Sequence, residues 1–241
     1  MESLYGQDLA YIHAAAFGGL AQGAAPEIVR LLRSATIPIR LVVDVGCGSG
    51  ILTTALVEAG FEATGIDSSA DLLAIARAAV PKAHLINASI YDLEVPPCEA
   101  IVALGEPLTY HSEAADADRL VQNVFERASL ALPPGGMLIF DVIETGEPSL
   151  AGRSWNAGED WAVLVETSED QASRSLVRSI EIFRRVDHLY RRGREIHRVH
   201  LFDAGALTRQ LAACGFAVRT AQSYGAYRLP LRRRAFFCTR C

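Results

Sequence analysis

Val42-Val43-Asp44-Val45-Gly46-Cys47-Gly48-Ser49-Gly50 is the stretch whose reading decides the fold. A β-branched run passes directly into a turn with glycine at every second position, and Ile51-Leu52-Thr53-Thr54-Ala55-Leu56 then takes helical spacing. Strand, glycine turn and helix in immediate succession form the opening of a βαβ unit. Glycines at 46, 48 and 50 let the backbone turn sharply and approach a ligand with no side chain between. The helix starting near Ile51 leaves N–H groups unsatisfied at the same turn. A dinucleotide fingerprint needs a third glycine where this chain has Ile51, which counts against pyrophosphate binding and a nicotinamide oxidoreductase.

Working outward, 41–45, 63–66, 84–88, 100–104 and 137–142 read as strands, with helices predicted at 51–59, 70–79 and 117–130. Unbroken apolar runs such as Ile101-Val102-Ala103-Leu104 suit parallel strands covered on both faces. Asp67 lies 17 residues beyond Gly50, at the end of the second strand in Gly65-Ile66-Asp67-Ser68. There an acid faces the crevice at the carboxyl ends of the strands and can accept ribose hydroxyl protons; the alternative is a helix-capping residue. After Pro133-Pro134-Gly135-Gly136 and the fifth strand the periodicity changes. Residues 160–202 alternate without helical spacing and predict an antiparallel meander of about three strands. A helix at 204–213 ends at Gly215, and strands at 216–223 and 234–239 close the sheet. Two helices, 9–17 and 26–34, precede everything.

The motifs Asp44-Val45-Gly46-Cys47-Gly48-Ser49-Gly50, Gly65-Ile66-Asp67-Ser68-Ser69 and Leu132-Pro133-Pro134-Gly135-Gly136-Met137-Leu138, in that order, resemble the motif set of class I S-adenosylmethionine-dependent methyltransferases. The resemblance spans about 41–142 and returns in Ala213-Cys214-Gly215-Phe216. The segments 9–18 and 189–198 resemble a bacterial subgroup of these enzymes whose acceptors are mostly unassigned, and methylation of a small metabolite is the expectation at the level of that subgroup. The resemblance implies a Rossmann-like, doubly wound α/β fold with a mostly parallel seven-stranded sheet and an antiparallel meander inserted after the fifth strand. It implies a helical cap at 1–40, a cofactor domain at 41–150 and 203–241, and an insert at 151–202 that walls or covers the acceptor site.

The implied cofactor is S-adenosylmethionine, leaving as S-adenosylhomocysteine. By the same resemblance Gly46, Cys47, Gly48, Ser49 and Gly50 hold its methionine portion, with Asp44 orienting the loop, and Asp67 and Ser68 take the ribose. Ser89 and Ile90 meet the adenine, although the family commonly has an acid at the place of Ser89, which leaves the backbone of Ile90 as the contact. Leu104 and Gly105 line the methyl-donor end, and Tyr11, with Tyr5 and His13, folds over the cofactor.

A sulfonium carries an activated methyl that a nucleophile must approach opposite the C–S bond. Alignment supplies much of the rate, since oriented reactants reach effective molarities of about 10⁵–10⁸ M, and a base is needed only where the acceptor must lose a proton. Glu106, Tyr110 and His111 follow the fourth strand, where the acceptor enters, and Glu106 and His111 are the candidate bases. Tyr110, His197, Arg198 and Tyr224 are candidate substrate contacts, with Tyr190 and Tyr227 behind them. His197 and His200 stand three apart on one strand and point to opposite faces, so they build no metal site; no metal is expected.

Residues 1–173 carry 8 of the 23 Lys+Arg against 24 of the 28 Asp+Glu, a net of −16, whereas 174–241 carry 15 arginines against 4 acids, a net of +11. Either the basic strands pair with the acidic half, or they form a surface for an anionic partner. The second possibility keeps open an RNA or other nucleic-acid methyltransferase, and a non-catalytic S-adenosylmethionine-binding protein is the third reading. Gly105-Glu106-Pro107-Leu108 stands where a nucleobase amino-methyltransferase carries its Asn/Asp-Pro-Pro-Tyr/Trp signature, so nucleic acid is disfavoured. The five cysteines read as reduced thiols, with Cys238-Thr239-Arg240-Cys241 in a frayed strand. No apolar run approaches the roughly 20 residues of a membrane span, and Met1-Glu2-Ser3-Leu4-Tyr5 lacks a signal-peptide pattern. The expectation is a cytoplasmic protein, monomer or homodimer, with a small-molecule acceptor and no membrane partner.

Overall fold

The computed structural model describes residues 4–92, 94–110 and 117–241. Helices α1 (Gln7–Ala16) and α2 (Gly19–Arg33) lead into an alternation of β1 (Leu41–Val45), α3 (Ile51–Glu58), β2 (Glu62–Asp67), α4 (Ala70–Ala79), β3 (His84–Asn87), β4 (Ala100–Ala103), α5 (Ala117–Ala131) and β5 (Met137–Ile143). Four long strands follow: β6 (Gly152–Ala157), β7 (Trp161–Asp170), β8 (Ser175–Val186) and β9 (Leu189–His200). Then come α6 (Ala204–Ala213), β10 (Phe216–Ala221), the short pair β11 (Ser223–Tyr224) and β12 (Tyr227–Arg228), and β13 (Arg233–Arg240). The main sheet has seven strands in the order β10-β13-β5-β4-β1-β2-β3, and β6-β7-β8-β9 form a separate four-stranded sheet. β13 runs antiparallel to both neighbours, while β5, β4, β1, β2 and β3 are mutually parallel.

The sheet is covered on both sides. Val43, Val45, Ile101 and Phe140 pack with Val121, Phe125, Leu207 and Leu211 of α5 and α6 on one side. Val42, Val102 and Ile139 pack with Ile28, Leu32, Leu52 and Leu56 of α2 and α3 on the other. This two-sided burial is why β4 and β5 are apolar almost throughout. The order reverses beside β1, so β1 and β4 lead into the crevice where such sheets bind ligands. The insert instead has alternating burial: Trp161, Val163, Ile180 and Ile182 turn one face to Leu9 and Ile12 of α1. Ser69 caps α4 by accepting Leu72 N–H at 3.1 Å, and Asp203 caps α6 by accepting Ala206 N–H at 2.6 Å.

Three elements depart from the sequence expectation. The meander has four strands, because β6 is exposed along its whole length and carries no apolar alternation to announce it. The second helix begins at Gly19, with Pro26 inside it. The segment ending in Cys238-Thr239-Arg240 is no frayed edge: β13 lies between β5 and β10, and Cys238 is fully buried. No helix among the described residues is long and apolar enough to cross a membrane.

Candidate active site

A cleft opens at the carboxyl ends of β1, β2 and β4, lined by the glycine turn, Asp67, Ser68, Ser89, Ile90, Tyr91, Leu104, Gly105, Pro107 and Tyr110. Its cover is N-terminal: Leu4, Tyr5, His13 and Phe17 line the same space. The glycine turn requires its glycines. Gly46 and Gly48 have φ of +67° and +55°, and a Cβ on Gly46 would sit 2.5 Å from Cβ of Pro107. A Cβ on Gly48 would meet nothing closer than His13 Cε1 at 4.0 Å, so that position faces the open cleft.

Asp67 ties two strand tips together. Its Oδ2 accepts Gly48 N–H at 2.8 Å and its Oδ1 accepts Ser69 N–H at 2.8 Å. Each oxygen retains a lone pair for a ligand, and burial raises the carboxyl pKa against the pull of these N–H donors. Asp44 lies behind the turn, its Oδ2 accepting from Thr53 Oγ1 at 2.6 Å, with its pKa pushed up to about 7 by burial. Cys47 and Ser49 line the cleft; Gly50 sits behind, against Ala76 of α4 and Val80 just past its end. The donor set suits the expected cofactor: a glycine cradle open where a chain must lie, a carboxylate beside it, and an apolar slot at Ile90 and Tyr91.

The N-terminal arm is fastened from two sides. Glu195 of β9 accepts Tyr5 N–H at 2.8 Å on Oε2 and Gly6 N–H at 2.9 Å on Oε1, and Ser69 Oγ donates to Tyr5 O at 2.8 Å. Asp8 pairs with Arg184 at 3.1 Å and with Arg191. The ring of His13 packs edge-on to Tyr5 at 5.1 Å, and burial lowers its pKa to about 4, so it is neutral at physiological pH. Its buried Nδ1 has no hydrogen-bond partner among the described residues.

Beyond the fourth strand a charge network closes the cleft. Glu106, with left-handed φ of +65°, is 3% exposed and faces Arg178 Nη1 and Arg233 Nη2, each at 2.5 Å. Burial alone would raise its pKa, but the two guanidiniums override it and hold the carboxyl below its ordinary value. Asp141 of β5 accepts Gly105 N–H at 2.9 Å and Glu106 N–H at 3.2 Å, fixing that turn. Tyr110 Oη lies 3.3 Å from Glu106 Oε1, 3.2 Å from Arg178 Nη1 and 3.4 Å from Tyr5 Oη.

Several expected site residues therefore stand elsewhere. Glu106 is bound by two arginines and is no free base. Tyr11 points away from the cleft, donating to Asp160 Oδ2 at 3.0 Å under the guanidinium of Arg184. Arg198 is exposed on the far face of β9. Tyr224 is fully buried and donates to Asp141 Oδ1 at 3.2 Å. His197 is buried behind the wall, against Tyr5 at 4.9 Å and Tyr110 at 5.8 Å, with Nε2 2.8 Å from Glu195 Oε2. His200 faces the other way, against Phe202. His111 lies outside the described residues. Sequence reading missed Glu195, Arg178 and Arg233, which sit among many similar charges. Asp141 did carry a signal: it is the lone charge in the otherwise apolar run Met137–Ile143.

A family model described as a methyltransferase domain matches residues 42–136. The chain is 26% identical over 183 residues to the putative methyltransferase YqeM of Bacillus subtilis, covering 73% of this chain and 72% of that protein. It shares its fold with an S-adenosylmethionine-dependent methyltransferase from Clostridium acetobutylicum, at a TM-score of 0.80 and 17% identity over 96% of this chain and 97% of that one. The sugar N-methyltransferase KedS8 from Streptoalloteichus superposes with a TM-score of 0.78 at 21% identity, over 100% of this chain and 97% of its own.

Proposed function

We propose that this chain is a class I S-adenosylmethionine-dependent methyltransferase that methylates an O, N or C nucleophile of a small, uncharged molecule by in-line displacement. The observation that carries this reading is the lining of the cleft: among the described residues Asp67 is its one charged side chain. Glu106, Asp141, Arg178 and Arg233 cancel one another behind Tyr110, and His13 is neutral. Among the described residues a phosphate or carboxylate acceptor finds no cationic side chain there, and burying it without one is costly.

S-Adenosylmethionine supplies the activated methyl. The Gly46–Gly50 turn holds its amino-acid portion, Asp67 and Ser68 its ribose, and Ser89 and Ile90 its adenine. Tyr5, His13 and Phe17 close over the cleft and exclude water, while Leu104, Gly105 and Tyr110 border the space where the acceptor lies. Orientation and desolvation then carry most of the rate, and a proton acceptor is needed only where the nucleophile must give up its proton to react. The sugar N-methyltransferase activity of KedS8 supports a small-molecule acceptor by analogy of fold, and the inserted sheet, through Arg178, Glu195 and His197, backs the acceptor wall.

The test is transfer of label from methyl-labelled S-adenosylmethionine into fractionated cell extract. Label is expected in the low-mass fraction; label confined to RNA, DNA or protein overturns the reading.

A further inference from the structure

We propose that Tyr5 Oη faces the acceptor space as an obligate hydrogen-bond acceptor, so that the enzyme takes only nucleophiles carrying their own O–H or N–H. The inference deepens the methyltransferase reading of this cleft and rests on it. Two groups of fixed polarity set the direction. A guanidinium can only donate, and an ionised carboxylate can only accept. Arg178 Nη1 lies 2.5 Å from Glu106 Oε1 and 3.2 Å from Tyr110 Oη, and Arg233 Nη2 lies 2.5 Å from Glu106 Oε2.

Tyr110 therefore accepts from Arg178 and donates its single proton to Glu106 Oε1 at 3.3 Å. With that proton committed, the 3.4 Å contact between Tyr5 Oη and Tyr110 Oη is filled by the Tyr5 hydroxyl donating. Tyr5 then has no proton left to offer, and what remains on its oxygen is lone pairs. Tyr5 and Tyr110 both line the cleft. The Tyr5 ring cannot swing away easily: its edge meets His13 at 5.1 Å and His197 at 4.9 Å, and its backbone is held by Glu195 and Ser69. A hydroxyl or an N–H-bearing amine satisfies those lone pairs. An ether, or a fully substituted neutral nitrogen, sets lone pair against lone pair, and a site built to receive a donor rejects an analogue without one. Glu106 is on this account a positioning residue that acts through Tyr110.

The experiment titrates protein saturated with S-adenosylhomocysteine with two neutral probes, cyclohexanol and cyclohexyl methyl ether, by calorimetry. In parallel, the Raman Fermi-doublet ratio of Tyr5 is taken from the difference between wild type and Tyr5→Phe. Cyclohexanol is expected to bind at least about tenfold more tightly than the ether, the scale of one buried hydrogen bond. The preference should vanish in Tyr5→Phe, and the doublet should report a donating Tyr5 hydroxyl. Glu106→Gln, which can donate toward Tyr110, should shrink the preference. An accepting doublet, or an equal response to both probes, nil included, overturns the inference alone. Failure to bind S-adenosylhomocysteine overturns the underlying reading with it.

Discussion

At Asp67 one oxygen receives Gly48 N–H and the other Ser69 N–H, so the side chain shapes the cradle as well as contacting what lies in it. Asp67→Ala should weaken S-adenosylhomocysteine binding by about 1.5–3 kcal/mol, the scale of hydrogen bonds to a charged group, as read by calorimetry. Gly48→Val puts a β-branched residue at φ +55° with its side chain in the open cleft; the variant should lose cofactor binding altogether. His13 makes a prediction in pH. Its folded pKa of about 4 lies below the unfolded value of about 6.5. The neutral form is the one the fold accommodates, so its contribution to stability is complete above pH 6.5 and is lost as pH falls toward 4. Between pH 7 and 5 that loss is about 2 kcal/mol. His13→Phe should flatten this part of the urea-denaturation profile; an unchanged profile would show that His13 is not buried as described.

At the scale of elements, what could be read from the chain depended on how many faces an element buries. β1, β4 and β5 are covered on both sides and announce themselves as apolar runs, and the glycine turn and Asp67 followed from strand ends at known spacing. β6 buries nothing, so its sequence Gly-Arg-Ser-Trp-Asn-Ala had no pattern to find. Tyr11 escapes the sequence reading for a related reason: two positions along α1, about 200° around the helix, separate His13, which faces the cleft, from Tyr11, which faces the insert, and the apolar positions around them do not say which is which. Tyr5 and His13 face inward; Tyr11 does not. Contacts made by long polar side chains across 190 positions, such as Glu195 to Tyr5, leave no local trace at all. Glu195→Ala removes both carboxylate bonds to the arm, and the expected result is roughly tenfold faster release of S-adenosylhomocysteine in stopped-flow with little change in melting temperature, because α1 keeps its apolar contacts.

At the scale of the molecule, the division of charge along the chain resolves largely into pairs. Arg174 meets Asp118, Arg184 and Arg191 meet Asp8, Arg232 meets Glu169, Arg233 meets Glu106, and Arg234 meets Glu144. Basic residues already committed in this way leave little to attract a polyanion. Filter binding with RNA at physiological salt should therefore detect no stable complex; tight, steeply salt-dependent retention would contradict it. The position of β13 bears on how the protein is made. Synthesis delivers that strand after every other element named here, yet its place is between two partners produced earlier. A nascent chain that has reached Ala221 thus holds β5 with one whole flank of amide and carbonyl groups unmatched and every residue apolar or buried-to-be, a template for pairing with another chain. Ribosome-bound or truncated forms lacking 233–240 are accordingly the species in which aggregation and chaperone capture should concentrate.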